Sequence, residues 1–280
     1  MNICIVTWYQ SLNYGTCIQC YALTKYLQKL GHNVYVPNTY KYYYGIKHPI
    51  DTIKKIFMKL CQRTNTPNLI RSLPEEYQYQ YKERIRKNKK FAKEEIPILY
   101  IKNKCDFNKM IEYTDIFFTG SDQIWNPAYV TPPFVLGFVP DGKTKVAYGS
   151  SIGVSELDKI SKKFFYKYLS KFNAIGVREK TAENIFKNLV NVNVCTVLDP
   201  TFLLNKDEWD KIAKKSSLDK STIGKYIFCY FIGNNSEWQI KVKKYAEEMG
   251  LKILTALSES YIIPDVGEYT AAYGVEDFIY

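Results

Sequence analysis

The sequence predicts an α/β fold from three features. A short apolar, β-branched run at the N-terminus is followed by an amphipathic helical pattern and a second such run. Further strand-like runs recur before residue 200, with helical patterns between the later ones. A fresh strand–helix–strand alternation begins near Lys225. Such alternation implies parallel sheets joined by right-handed crossovers.

Residues 2–8 read as a buried strand, because a short apolar β-branched run fits a sheet interior. A polar turn follows through Ser11, Asn13 and Gly15. Residues 16–30 carry helical spacing, with Ile18, Ala22, Leu23, Tyr26, Leu27 and Leu30 on one side. Gly31 suits the C′ position, where a left-handed backbone ends a helix. Residues 33–36 read as the next strand. Strand-like runs resume at 116–119, 146–148, 174–177 and 194–198, with helical patterns at about 155–170 and 179–189. Together they predict a doubly wound domain. Residues 40–110, rich in Tyr and Lys, interrupt the alternation with helical patches near 51–61 and 76–93. They read as an inserted basic helical segment.

The second alternation predicts a strand at 226–232, a helix at 237–249 and a strand at 251–257. The expected organisation is a first domain over 1–205, a linker over 206–224 and the start of a second domain over 225–280. That second piece is too small to cover both faces of a parallel sheet. The rest of it is therefore expected beyond Tyr280.

The formal charge is +11, from 39 basic and 28 acidic residues. Residues 82–93 alone hold seven cations and one anion. Such a run suits a solvated helix face, an anionic membrane surface or an acidic substrate. No nucleic-acid motif accompanies it, so no nucleic-acid partner is expected. The 25 tyrosines suit sugar stacking, although coding bias produces the same excess. Seven scattered cysteines, no secretory leader and no apolar stretch of membrane-spanning length point to a cytoplasmic protein with free thiols.

Four places invite chemistry. The loop Asn13, Tyr14, Gly15 precedes a helix start, where free N–H groups attract anions; a tight turn without a ligand is the alternative. Cys17 and Cys20 form a C-x-x-C, but no second pair exists, so no metal site is expected, and small buried helix residues are the simpler account. The stretch Gly120, Ser121, Asp122, Gln123, Ile124, Trp125, Asn126, Pro127 follows a strand, where open α/β sheets bind ligands. It offers a hydroxyl, a carboxylate, an amide and an aromatic plate; an Asx-type turn with Trp125 in the core is the other reading. Arg178 and Glu179 also follow a strand, and an arginine there grips a carboxylate or phosphate with two N–H groups, unless it serves a structural pair with Glu179. Only two histidines, His32 and His48, are present, which leaves few candidates for a His-based mechanism.

These segments resemble the polysaccharide pyruvyl transferase family. Asn13-Tyr14-Gly15 with Gln19-Cys20-Tyr21-Ala22-Leu23 is similar to its opening N-Y-G…Q-A-Y-A-L. Residues 120–127 resemble G-S-D-Q-I/V-W-N-P, and residues 147–153 resemble Y-A-A-S-F/I-G. Val177-Arg178-Glu179 is similar to V-R-E/D. Residues 198–204, followed by Trp209, resemble L-D-P-T-L/F-L-L…W. The order is kept across nearly the whole chain.

The resemblance implies two Rossmann-like domains in a GT-B-like arrangement, the C-terminal one incomplete here, with the site in the cleft. It also implies transfer of a pyruvyl group from phosphoenolpyruvate to a sugar of a polysaccharide or its lipid-linked precursor, giving a ketal, with no further cofactor. Arg178 is then expected on an anionic group of the donor, and Asp122 on the acceptor hydroxyl. Asn13, Tyr14, Gly15, Ser121, Gln123, Trp125 and Asn126 are expected to line the substrates. The family's S-F-H-G histidine, the expected general acid, would fall beyond Tyr280. The basic insertion is expected to touch the inner membrane surface. A sugar-nucleotide glycosyltransferase of GT-B type and a non-catalytic glycan- or anion-binding remnant are the competing readings.

Overall fold

The computed structural model describes residues 1–9, 12–39, 42, 75–218, 224–232, 236–257, 267–270 and 272–280. The helix expected near 51–61, Ser11 and His48 lie outside the described residues. The chain divides into two compact units. Among the described residues the first holds 1–9, 16–39, 42 and 92–205, and the second holds 12–15, 75–91 and those from 206 onward.

The first unit is built on a seven-stranded sheet in the order β3-β2-β1-β4-β5-β6-β7. Its strands are β1 (Asn2–Val6), β2 (Asn33–Pro37), β3 (Ile98–Leu99), β4 (Ile116–Thr119), β5 (Thr144–Ser150), β6 (Ala174–Val177) and β7 (Val194–Thr196). Every pairing is parallel. The order reverses between β1 and β4, the position where doubly wound sheets open a crevice at the strand carboxyl ends. Ile3, Cys4, Ile5 and Val6 of β1 are all buried, as a strand covered on both faces requires.

Helix α1 (Tyr14–Lys29) connects β1 to β2. It ends as the glycine suggests: Gly31 has φ 85°, and the His32 N–H reaches back to the Leu27 carbonyl at 3.2 Å, closing a Schellman motif. Helix α2 (Glu75–Glu95) lies in the expected basic insertion. Then follow α3 (Lys104–Tyr113), α4 (Lys159–Leu169) and α5 (Lys180–Lys187). A buried cluster from β4, β5, β6 and the helices α4 and α5 fills the core, including Phe117, Trp125, Phe165, Val177 and Phe186.

The short strand β3 and helix α3 were not foreseen. Two residues of strand carry too little periodicity to stand out. β1 also stops at Val6, two residues short of the expected end, and β7 stops at Thr196.

The second unit carries a three-stranded parallel sheet, β10-β9-β8, formed by β8 (Tyr226–Tyr230), β9 (Lys252–Ala256) and β10 (Glu268–Thr270). Helices α6 (Lys206–Ala213), α7 (Ser236–Met249) and α8 (Val275–Ile279) belong to it. The expected linker over 206–224 therefore begins with a helix. The insertion also departs from expectation, because residues 75–91 group with the second unit instead of the first. The physical cause is visible in α2. Arg84 is fully buried, with its guanidinium 3.9 Å from the centre of the Tyr14 ring. It donates from Nη1 to the Leu257 carbonyl at 2.5 Å and from Nη2 to the Leu12 carbonyl. Tyr81 packs with Leu12 and Leu257. Lys87 pairs with the buried Asp277 at 2.7 Å. The basic run is thus only partly a solvated face. Lys82, Arg86, Lys89 and Lys90 remain exposed, at the i, i+4, i+7, i+8 spacing that lines one side of a helix.

Among the described residues, no helix is long and apolar enough to cross a membrane.

Candidate functional site

The loop after β4 is shaped by its first residue. Gly120 has φ 107°, and a Cβ there would sit 2.3 Å from the Tyr148 carbonyl oxygen. No side chain fits that space, so β4 and β5 approach closely at their carboxyl ends. The Gly120–Ser121 peptide is cis.

Ser121 is fully buried and satisfied. Its N–H donates to Gln19 Oε1 at 3.0 Å, and its carbonyl accepts from Thr7 Oγ1 at 3.2 Å. Its hydroxyl oxygen lies 3.0 Å from the Gly149 carbonyl and 3.2 Å from Asp199 Oδ2. Ser121 therefore belongs to the scaffold of the loop, a correction to its expected place on a substrate. The close approach depends on Gly149, whose φ is 68°; a Cβ there would lie 3.1 Å from Ser121 Oγ.

Asp122 is half-buried and has φ 75°, a left-handed conformation that Asp tolerates better than most residues. Its Oδ2 accepts from Thr16 Oγ1 at 2.8 Å and its Oδ1 from the Gln123 N–H at 2.7 Å. Each carboxylate oxygen keeps acceptor capacity for another donor. Gln123 is exposed, and its Oε1 accepts from the Tyr129 hydroxyl at 2.9 Å. Burial, followed by the charge of Asp122, raises the Tyr129 phenol above its ordinary pKa. Asn126 turns its Oδ1 onto the Ala128 N–H at 3.0 Å.

Trp125 is fully buried. Its indole N–H donates to the Phe134 carbonyl at 2.7 Å, and its ring meets Phe165, Phe172 and Phe186. With its faces and its N–H all taken by protein, the ring has no plate to offer a sugar. The expected stacking role is corrected to that of a core anchor.

At the end of β6, Arg178 donates from Nη1 to Asp199 Oδ2 at 2.7 Å. The Arg178 side chain is 28% exposed and that of Asp199 22%. Ser121 and Arg178 thus meet on one carboxylate, which joins the loop after β4 to the end of β6. Glu179 does not pair with Arg178. Its Oε1 instead accepts from the Ser151 hydroxyl. The alternative of a structural Arg178–Glu179 pair is not found; Arg178 pairs with Asp199.

Asn13, Tyr14 and Gly15 lie in the second unit. Tyr14 is fully buried there, stacked on Phe278 at 4.2 Å, with its hydroxyl donating to the Tyr273 carbonyl at 3.1 Å. Its expected contact with substrate is replaced by a core contact. Gly15 lies close to Asn13, whose Oδ1 would be 3.1 Å from an added Cβ.

The C-x-x-C carries no redox signature. Cys17 and Cys20 are fully buried and not disulfide-bonded, and burial pushes the Cys20 thiol well above its ordinary pKa. A redox cysteine needs the opposite shift. Among the described residues, no group of three or more His, Cys, Asp or Glu side chains could hold a metal ion.

Three functional candidates escaped the sequence reading: Asp199, Thr16 and Gln19. Asp199 and Gln19 stand inside the segments that carry the family resemblance, and an aspartate before a proline at a strand end was a usable signal. Gln19 donates from Nε2 to the Trp8 carbonyl at 2.9 Å and to the Thr16 carbonyl at 3.0 Å, and its Oε1 accepts the Ser121 N–H at 3.0 Å, so α1 braces the loop after β4.

The parallel sheet, with polar and charged groups gathered beyond its strand carboxyl ends, is a doubly wound sheet, and such sheets bind ligands at that edge. The chain belongs to the polysaccharide pyruvyl transferase family, whose model matches residues 13–280. No curated protein matches the chain. Among solved structures, it is similar to wall teichoic acid polymerase TagF (H444N variant with CDPG) at 11% identity and a TM-score of 0.42. That alignment covers 92% of this chain and 55% of TagF.

Proposed function

We propose that this chain acts in the transfer of a pyruvyl group from phosphoenolpyruvate to a sugar of a cell-surface polysaccharide or its lipid-linked precursor. Membership of the family supports a polysaccharide-modifying transferase. The observation that carries the donor assignment is the state of Arg178. One of its nitrogens is anchored on Asp199, while Nε and Nη2 have no partner among the described residues. The side chain is partly exposed at a strand carboxyl end. A fixed guanidinium with an open edge suits a planar carboxylate or a phosphate, and phosphoenolpyruvate carries both.

In this reading, C3 of the donor takes a proton and becomes a methyl group, which leaves C2 electrophilic. One sugar hydroxyl adds to C2. A second sugar hydroxyl then displaces phosphate and closes the ketal. Of the two hydroxyl protons, one balances the proton taken by C3 and the other leaves with phosphate. Asp122, with spare acceptor capacity on both oxygens, orients or deprotonates an acceptor hydroxyl. Gln123 and Asn126 flank the same loop and contribute polar contacts to the acceptor. Phosphoenolpyruvate enters as a substrate, and these steps call on no resident cofactor.

Calorimetric titration with phosphoenolpyruvate tests the donor assignment. Arg178→Ala is expected to weaken binding by about tenfold or more, the loss of a charge-assisted contact. Unchanged affinity in a folded variant overturns the assignment.

The exposed stripe Lys82, Arg86, Lys89 and Lys90 supports a peripheral contact with an anionic membrane surface, where a lipid-linked acceptor would reside. Co-sedimentation with phosphatidylserine vesicles at low salt is expected, and its absence at every salt concentration overturns that part.

A further inference from the structure

We infer that Asp199 is a positioning residue for the donor: it sets the rotamer of Arg178 so that Nε and Nη2 face the incoming anion. The inference rests on the donor reading of Arg178 and adds to it the group that makes that arginine selective.

Asp199 is itself held in place by its own turn. It follows β7 and opens the 3₁₀ turn Pro200–Leu203, with Pro200 buried behind it. Its Oδ1 accepts the Thr201 N–H at 3.0 Å and the Thr201 hydroxyl at 2.9 Å. This side-chain-to-backbone turn locks the carboxylate plane. The other oxygen, Oδ2, accepts Arg178 Nη1 at 2.7 Å and faces the Ser121 hydroxyl at 3.2 Å. Each oxygen thus faces two donor groups, from three residues.

An exposed ion pair contributes little to stability on its own, because two long side chains must be ordered to form it. Here the carboxylate is ordered already by Thr201, so only the arginine is left to be immobilised. An arginine tethered through a single nitrogen keeps the rest of its donor fork aimed in one direction. A planar anion is recognised by that direction, and pre-set geometry is what converts a charge into selective binding.

Ser121 explains why this carboxylate stands where it does. Its single hydroxyl proton has two acceptors in reach, the Gly149 carbonyl and Asp199 Oδ2. Asp199 is therefore coupled to the loop that carries Asp122, and the two halves of the site are set from one node.

A purely structural role for Asp199, closing the turn after β7, is the alternative. The two roles separate in a double-mutant cycle read by phosphoenolpyruvate titration on the full chain. Asp199→Asn keeps an acceptor for Thr201 and removes the charge facing Arg178. It is expected to weaken phosphoenolpyruvate binding about tenfold to a hundredfold, as a lost supporting partner does. In an Arg178→Ala background the same change is expected to cost almost nothing further, because the residue it positions is gone. Should Asp199→Asn not fold, Asp199→Glu, which keeps the charge but displaces it, is used in the same cycle. Additive losses, or unchanged affinity in a folded Asp199 variant while Arg178→Ala still weakens binding, overturn the positioning role alone. Unchanged affinity in Arg178→Ala overturns the donor reading and this inference with it.

Discussion

The hydroxyl of Thr16 donates to Asp122 Oδ2 at 2.8 Å, across 106 residues of sequence. This bond ties helix α1 to the loop after β4 and holds a carboxylate whose backbone sits in a left-handed conformation. Thr16→Val keeps the shape and removes the donor. We expect a loss of about 1 kcal/mol in stability, with Thr16→Ser close to wild type. Chemical denaturation of the three proteins checks this, and equal stabilities would show that the bond does not hold the loop.

Trp125 offers a sharper discrimination between core and ligand roles. Trp125→Ala is expected to cost about 3–5 kcal/mol, the range for deleting a large buried aromatic. Trp125→Phe should cost less, because most of the packing against Phe165, Phe172 and Phe186 survives. If the Phe variant folds with native stability but loses affinity for an acceptor sugar, the core assignment fails.

Gly120 tolerates no side chain. In Gly120→Ala the new methyl would have to coexist with the Tyr148 carbonyl 2.3 Å away at a φ that only glycine adopts easily. We expect a loss of at least about 2 kcal/mol. A thermal melt that overlays wild type would contradict it.

Glu183 predicts a pH response. The buried side chain accepts from Lys187 at 2.6 Å, from Thr196 Oγ1 at 2.5 Å and from Lys180 at 2.9 Å. Lys187 foremost, then Thr196 and Lys180, pull its carboxyl from 4.5 down to about 2. A carboxyl lowered by folding stabilises the protein above its unfolded value. That contribution fades as pH falls from about 4.5 toward 2. Glu183→Gln should therefore flatten the acid limb of the stability profile between those values. An unchanged slope would show that the network does not carry it.

The legibility of the fold varied with the length of each element. The alternation of β1, α1 and β2, and the strands β4 and β6, stood out because hydrophobic periodicity is written locally. β3 was invisible because two residues hold no period. Helix α6 hid inside an expected linker, where Lys206, Asp207 and Glu208 masked a short amphipathic turn. The grouping of residues 75–91 with the second unit was also hidden, since it rests on Arg84 and Tyr81, whose partners lie far away in sequence.

The candidate site divided in the same way. By itself the sequence determined that Asp122 and Arg178 follow strands of a parallel sheet, and that the loop before Asp122 begins with a glycine. Strand period and turn chemistry act over a few residues, so they can be read in order. Only the tertiary structure decided which neighbours face inward. It sent Ser121, Tyr14 and Trp125 into cores, and it brought Asp199 to Arg178 across 21 residues and to Ser121 across 78. Burial and ion pairing depend on which strand ends the sheet sets side by side, and no local pattern encodes that adjacency.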